Sequence, residues 1–136
     1  MTIAEYLASI KERLTADAVV AHFRVIRERA TLTDGHLRAQ LTLADDSQLE
    51  FSEYVQFLPA GQVSVVTYSY HWTDAQGNLL RRWDNTPHHP DLHGFPHHVH
   101  TGPGDHVYPG QPTSIFTVLD EIAGLLTDQS RRPPAG

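Results

Sequence analysis

A repeated pattern of strand-like segments and short turns occupies residues 19–85 and most strictly limits the folds open to this chain. In residues 36–43, apolar and polar side chains alternate without a break, which is typical of a strand with one buried face. Before this segment, Thr33-Asp34-Gly35 contains the Asp-Gly pair of tight hairpins. The pattern predicts five strands, at residues 19–32, 36–43, 48–58, 62–72 and 79–85. Because the turns are short, the strands are expected to form an antiparallel meander.

Two amphipathic helices are predicted to flank this meander. Apolar residues recur at helical spacing across residues 2–15, and Thr2 with Glu5 matches a capping box. A second helix is predicted after Pro112, with an apolar stripe formed by Ile115, Val118, Leu119, Ile122 and Leu126. The expected fold is α+β: an N-terminal helix, a five-stranded antiparallel meander, a His/Pro-rich loop and a C-terminal helix. We expect one domain over residues 1–127 and a disordered tail over residues 128–136.

Size and composition exclude several classes of protein. A chain of 136 residues can bury one core without covalent staples, and the absence of cysteine excludes disulfide frameworks and cysteine-ligated zinc sites. A formal net charge of −6 disfavours a protein that coats nucleic acid non-specifically, although a local cationic site is compatible with it. The sequence shows neither a signal-peptide pattern nor a membrane-length apolar run. We therefore expect a cytoplasmic protein without membrane association.

The segment of residues 81–106 combines histidine and proline at high density. It contains seven of the ten histidines and four of the nine prolines of the chain. Histidine changes charge near neutral pH and is the commonest metal ligand. The prolines and glycines argue against a helix and predict a structured loop with short extended pieces. We interpret this loop as the active or binding site; its histidines are His88, His89, His93, His97, His98, His100 and His106.

Charged side chains directly precede the histidine-rich loop. Arg82 and Asp84 are two residues apart in a predicted strand, so they should share a face. An arginine beside a histidine cluster suits phosphate binding, whereas the structural alternative is a surface ion pair. If the strands at 62–72 and 79–85 pair, His71 would lie close to Arg82 and the loop.

The chemistry of the loop has two readings that spacing alone does not separate. His98 and His100 are two residues apart and could bind the divalent metal of a metal-dependent nuclease, with oxygen ligands from Asp84, Asp91 or Glu53. They could equally act as acid and base in metal-independent RNA cleavage. No cofactor is certain from the sequence, and a non-catalytic module that binds a metal or a partner is a third interpretation.

Aromatic residues line one side of the predicted strand at 62–72. Tyr68, Tyr70 and Trp72 occupy alternate positions, so they should project to the same face. We expect this face to belong to the core, with a base-stacking platform as the functional alternative.

The residues from Tyr68 to His100 also carry a resemblance to a known family. They read YSYHW, then RRWDNTPHHPDL, then FPHHVH. This is similar to TumE-type toxins of prokaryotic type II toxin–antitoxin pairs, which have Tyr-x-Tyr-His, Arg-Tyr-Asp-Asn-x-Pro-His-His-Pro and Phe-Pro-His-His-x-His. Trp83 replaces a tyrosine of the family pattern. Val99 replaces a common basic residue, which removes a positive charge that could have met a phosphate.

The resemblance implies a growth-inhibiting toxin neutralised by a cognate antitoxin, which in such operons is often a helix-turn-helix protein. The toxic activity of the family is commonly supposed to be nucleolytic. The positions that match its motifs are Tyr70, His71, Arg82, Asp84, Asn85, Pro87, His88, His89, Pro90, Pro96, His97, His98 and His100.

We therefore expect an endoribonuclease toxin with RNA as substrate, DNA being the alternative; a homodimer is compatible with the sequence. The expected catalytic residues are His71, Arg82, Asp84, His88, His89, His98 and His100. The expected substrate-binding residues are Tyr70, Asn85 and His97. The metal candidates are His98, His100, Asp84 and Glu53. His93 and His106 lie outside the motif positions and are expected to be dispensable.

Overall fold

One antiparallel sheet organises residues 1–130, the part of the chain that this computed structural model describes. Each strand pairs with the next one in sequence, which confirms the α+β class and the antiparallel meander. The elements, in order, are α1 (Ile3–Ala16), β1 (Val20–Ala30), β2 (Asp34–Leu43), β3 (Gln48–Phe57), β4 (Val63–Thr73), β5 (Leu79–Asp84), β6 (His98–Thr101), β7 (His106–Pro109) and α2 (Ile115–Ser130).

The predicted number of five strands is wrong, because the described sheet has seven. The two additional strands, β6 and β7, form inside the segment that was expected to be a loop. Each is four residues long, too short to show an alternating pattern between prolines and glycines. Pro109 ends β7, where the missing N–H is tolerated because β7 is an edge strand.

The first hairpin also turns earlier than Thr33-Asp34-Gly35 predicts, since Asp34 and Gly35 already belong to β2. Gly35 pairs with Ala30 of β1. A β-carbon added at Gly35 would lie 2.6 Å from Cγ2 of Ile3 in α1. The glycine therefore permits close approach of the helix to the sheet and does not form the turn.

Both helices pack on the same face of the sheet, and the hydrophobic core lies between the helices and this face. The capping box of Thr2 and Glu5 begins α1 as predicted, with Thr2 Oγ1 accepting from the Glu5 backbone at 3.0 Å. The aromatic residues of β4 point into this core, which confirms the core interpretation of that face. Core residues from the helices and the central strands are Ile3, Leu7, Ile10, Leu14, Leu37, Leu41, Phe51, Tyr68, Tyr70, Trp72, Ile115, Val118, Leu119 and Ile122.

A buried carboxylate ties the two helices to the sheet. Glu53 occupies an inward position of β3 and is fully buried. Its Oε1 accepts a hydrogen bond from the Tyr6 hydroxyl at 2.6 Å, and its Oε2 accepts from Tyr70 at 2.7 Å and from the backbone N–H of Ile115 at 2.8 Å. Burial raises the pKa of Glu53, against the opposing effect of these donors. Glu53 thus caps the start of α2.

The opposite face of the sheet is polar and is not covered by either helix. The segment between β5 and β6, residues 85–97, folds over part of this face, because the ring of His89 contacts the rings of His98 and His100. Asp84 and His98 project to this face and are nevertheless buried. This covered corner of the polar face contains the candidate site.

The C-terminal helix α2 continues to Ser130, three residues into the segment 128–136 expected to be a tail. Residues 131–136 of that expected tail lie outside the described residues. Neither helix in the described part of the chain combines the length and the apolarity that a bilayer crossing requires.

Candidate active site on the polar face of the sheet

The strand register gathers the predicted residues of three strands on one face. Asp84 of β5 lies opposite His98 of β6, and Arg82 lies between His71 of β4 and His100 of β6. Residues directly opposite each other in an antiparallel pair project to the same side. The pairing of β4 with β5, and the placement of His71 beside Arg82, are therefore confirmed.

Asp84 is the centre of this group. Its Oδ2 accepts a hydrogen bond from Nε of Arg82 at 2.7 Å, and its Oδ1 accepts from the backbone N–H of Thr86 at 3.1 Å. The same Oδ1 lies 2.8 Å from Nε2 of His98. Because the carboxylate is buried and contacts both side chains, it fixes the positions of Arg82 and His98.

His98 has both ring nitrogens occupied. Nδ1 lies 2.9 Å from the carbonyl oxygen of Pro96, and since a carbonyl only accepts, Nδ1 carries the proton of that bond. Nε2 faces Asp84. His98 is 2 % exposed, so it is a buried bridge between the segment 85–97 and β5, without a free nitrogen for proton transfer.

His100 is held in a different way. Its Nδ1 donates to Oδ1 of Asp105 at 2.8 Å, and its Nε2 lies 3.9 Å from Oδ2 of Asp84, beyond hydrogen-bond distance. A histidine whose Nδ1–H is held by a carboxylate keeps its lone pair on Nε2, the arrangement of a general base. Asp105 lies in the turn between β6 and β7, and no spacing in the sequence singled it out.

The segment 85–97 contributes a third ring. The ring centre of His89 lies 5.3 Å from that of His98 and 6.0 Å from that of His100, while the His98 and His100 centres are 4.9 Å apart. His89 has a positive φ of 59°, a conformation that histidine tolerates better than most residues. His88 contacts His89 at 6.4 Å and lies at the exposed rim of the group. We call His89, His98 and His100 the three-histidine cluster.

An open cavity of about 290 Å³ lies on the same polar face and is bounded by His71. Partial desolvation, together with the guanidinium of Arg82, lowers the pKa of His71, so this ring is neutral near pH 7. The other lining residues are Arg38, Glu50, Phe51, Ser52 and Ser69.

Several predicted residues lie away from the cluster. Tyr70 and the metal candidate Glu53 are buried on the helix face and bond to each other. His97 is stacked on Tyr68, and its Nδ1 lies 2.8 Å from the Tyr68 hydroxyl. Burial, and secondarily His98, lowers the pKa of His97, while burial and the charge of Asp84 raise the pKa of Tyr68 to about 12.

His93 and His106, expected to be dispensable, make no hydrogen bond, ion pair or ring contact with the three-histidine cluster within the described residues. Their dispensability stays a prediction. Both are exposed, which makes them suitable control positions.

The two departures from the family pattern also lie on the helix face. Trp83 and Val99 pair with each other, and Nε1 of Trp83 donates to Glu121 of α2 at 3.1 Å. A basic residue at position 99 would project to this side, away from Arg82 and the cluster. The effect of Val99 on phosphate binding stays a prediction.

Asn85 directly follows Asp84 in the chain, and its side-chain amide bonds the neighbouring strand β4. Its Nδ2 donates to the carbonyl of Val66 at 2.8 Å, and its Oδ1 accepts from the backbone N–H of Tyr68 at 3.0 Å. These bonds satisfy the backbone of β4 where its pairing with β3 is irregular. The structure therefore shows a supporting role for this side chain.

We expect Asn85→Ala to lower the free energy of unfolding by about 1–2 kcal/mol, because two backbone groups of β4 lose their partner. Chemical denaturation measures this change. Asn78→Ala is the matched control, since Asn78 bonds Asp74 in an exposed turn and its loss should cost below about 0.5 kcal/mol. Equal stability of the two variants would contradict the supporting role of Asn85.

Comparison with known proteins agrees with the sequence motifs. A family model described as Toxin TumE matches residues 8–130, which include every element of the site. Neither the curated proteins nor the solved structures give a match. Since the family match extends over nearly the whole chain, this protein belongs to the TumE toxin family.

Proposed function

We propose that this toxin, the partner of a cognate antitoxin, inhibits growth by cleaving RNA at the polar face of its sheet. The observation that carries the proposal is that Arg82, fixed by Asp84, lies opposite His100, whose ring centre is 6.0 Å from that of His89. Cytoplasmic location and a homodimer stay predictions.

Arg82 is the phosphate-binding group in this proposal. Its Nε is held by Asp84, while Nη1 and Nη2 form no hydrogen bond or ion pair with any described residue. Its side chain is 38 % exposed, so these nitrogens are accessible to a ligand. A guanidinium fixed at one edge and open at the other suits bidentate binding of a phosphate and stabilises the charge that grows on it during cleavage.

His100 is the general base and His89 the general acid. Nε2 of His100 removes the proton of a ribose 2′-hydroxyl, and the 2′-oxygen bonds to the adjacent phosphorus. The bond from phosphorus to the 5′-oxygen breaks, and protonated His89 gives its proton to that oxygen. The products are a 2′,3′-cyclic phosphate and a 5′-hydroxyl, so protons and electron pairs balance without a further reactant.

The remaining predicted residues support this reaction. Asp84 positions Arg82, and His98 positions the segment 85–97, as their hydrogen bonds indicate. His71, neutral beside the open cavity, is suited to contact a neighbouring nucleotide without competing for the phosphate charge. His88, at the rim, is placed to contact the leaving strand.

The test is RNA cleavage by purified protein in the presence of a chelator. We expect fragments that end in 2′,3′-cyclic phosphate, and no cleavage of an oligonucleotide with 2′-deoxyribose at the cleavage position. A DNA oligonucleotide of the same sequence is the control. If the purified protein leaves RNA intact although the cells that produce it stop growing, the proposal is overturned. Cleavage of the DNA control would exclude attack by the 2′-hydroxyl.

A further inference from the structure

We propose that His89, His98 and His100 form a site for one divalent transition-metal ion, and that occupation of this site stops RNA cleavage. The first part concerns binding alone and is independent of the proposed function. The second part rests on it.

The spacing of the cluster suits a metal ion. Each of the three rings offers one nitrogen, and these nitrogens all lie within 4.8 Å of one another. Ligands of a tetrahedral ion with metal–nitrogen distances of about 2.0–2.1 Å lie about 3.4 Å apart. To bind one ion, the nitrogens would have to approach one another by roughly an ångström. His89 can supply this movement, because it is exposed and belongs to the segment between two strands.

The outer contacts of two rings are a second, independent indication. Nδ1 of His98 donates to the carbonyl of Pro96, and Nδ1 of His100 bonds the carboxylate of Asp105. Histidines that bind metals commonly donate their other N–H to a carbonyl or a carboxylate, which orients the ring and raises its basicity. Two of the three histidines therefore already have the supporting contacts of a metal ligand.

The carboxylate of Asp84 lies beside two of these nitrogens. Its Oδ1 is 2.8 Å from Nε2 of His98, and its Oδ2 is 3.9 Å from Nε2 of His100. A cation in the cluster would lie close to this buried carboxylate, whose negative charge favours its binding. Three imidazoles favour Zn²⁺, Ni²⁺ or Cu²⁺ over Mg²⁺ and Ca²⁺, which prefer sites built from oxygen.

Metal binding and the proposed proton transfers exclude each other. The lone pair that His100 needs in order to accept a proton is the one that would bind the ion, and His89 would lose its proton on binding. An ion would also fasten the segment 85–97 to β6, which narrows the approach to Arg82. Occupation should therefore stop cleavage, and removal of the ion should restore it.

The binding test uses untagged, chelator-treated protein and Zn²⁺ alone, followed by titration calorimetry and elemental analysis. We expect one ion per chain, with at least tenfold weaker binding in His89→Ala and in His100→Ala. Asp105→Asn should weaken binding about tenfold through loss of the outer contact. His93→Ala and His106→Ala are controls from the same segment and should bind as the unaltered protein does. Circular dichroism establishes that each variant is folded.

Four outcomes decide the proposal. Absence of saturable binding, or equal binding by His89→Ala, His100→Ala and the controls, overturns the site. Cleavage that one equivalent of Zn²⁺ stops, and that a chelator restores, supports both parts. Cleavage that requires Zn²⁺ overturns the inhibitory role and the acid–base mechanism but leaves the site in place. One bound ion without RNA cleavage under any condition refutes the proposed function, and with it the inhibitory role, while the site stands.

Discussion

His100→Ala is expected to lower the rate of RNA cleavage by about 10²–10⁴-fold, the usual contribution of a general base. The ring has one nitrogen held by Asp105 and the other turned toward the cluster, so its removal takes away the proton acceptor. Initial rates on a single RNA oligonucleotide, measured at saturating and at low substrate, give kcat and kcat/KM. We expect the loss in kcat, because the histidine acts on the reacting hydroxyl.

The matched control for this experiment is His106→Ala, which removes an exposed histidine of the adjoining strand β7. It should cleave at the rate of the unaltered toxin. Thermal unfolding and antitoxin binding should be unchanged in both variants, because the His100 side chain is not part of the helix-face core. If His100→Ala keeps full activity, or loses antitoxin binding instead, the role of His100 as general base is wrong.

Alternation within strands carried enough information to place much of the site. Arg82 and Asp84, two residues apart, share a face in any strand, and so do His98 and His100. Short turns indicated that neighbouring strands pair, which brought His71 beside Arg82. These relations are local, and local relations survive in the fold because the period of a strand is fixed.

The parts that the sequence did not predict depend on the path of the chain. His89 meets the cluster only because residues 85–97 fold back over the sheet, and no pattern specifies that path. Asp105 reaches His100 through the turn between β6 and β7, strands too short to show a period. Gly35 resembled a turn glycine, although contact with α1 explains it. Such contacts come from tertiary packing, which local propensity does not describe.

Glu53 illustrates a signal that was present but ambiguous. From the sequence, this carboxylate was one of three candidate oxygen ligands for a metal at the histidine-rich loop. In the fold the strand keeps its phase, and the carboxylate serves the core through Tyr6, Tyr70 and Ile115. A carboxylate is tolerated at a buried core position only where several hydrogen-bond donors surround it. The two tyrosines, far apart in sequence, gave no indication that they would converge.

Glu53→Ala is therefore expected to produce the largest loss of stability, about 3–5 kcal/mol in the free energy of unfolding. The substitution leaves two buried hydroxyls and the first N–H of α2 without their acceptor, and it opens a cavity where both helices meet the sheet. Urea denaturation measures the change. Glu50→Ala on the same strand is the matched control, because Glu50 makes an exposed ion pair with Arg38 and should cost below about 1 kcal/mol. Equal losses from the two variants would refute the role of Glu53 as the acceptor that joins both helices to the sheet.

The pH dependence of stability gives an independent check on the same residue. Burial raises the pKa of Glu53 above its ordinary value of 4.5, so the folded chain keeps this proton to higher pH than the unfolded chain does. The contribution of Glu53 to the free energy of unfolding is therefore fully present below pH 4.5. It declines as pH rises through the pKa of the folded state, by at most about 1.4 kcal/mol per pH unit. Glu53→Gln carries no titrating proton, so the difference in unfolding free energy between the unaltered protein and this variant should fall as pH rises from 4.5. A difference that stays constant or grows with pH would mean that the tyrosine and backbone donors outweigh burial, and that Glu53 holds the helices as a carboxylate throughout.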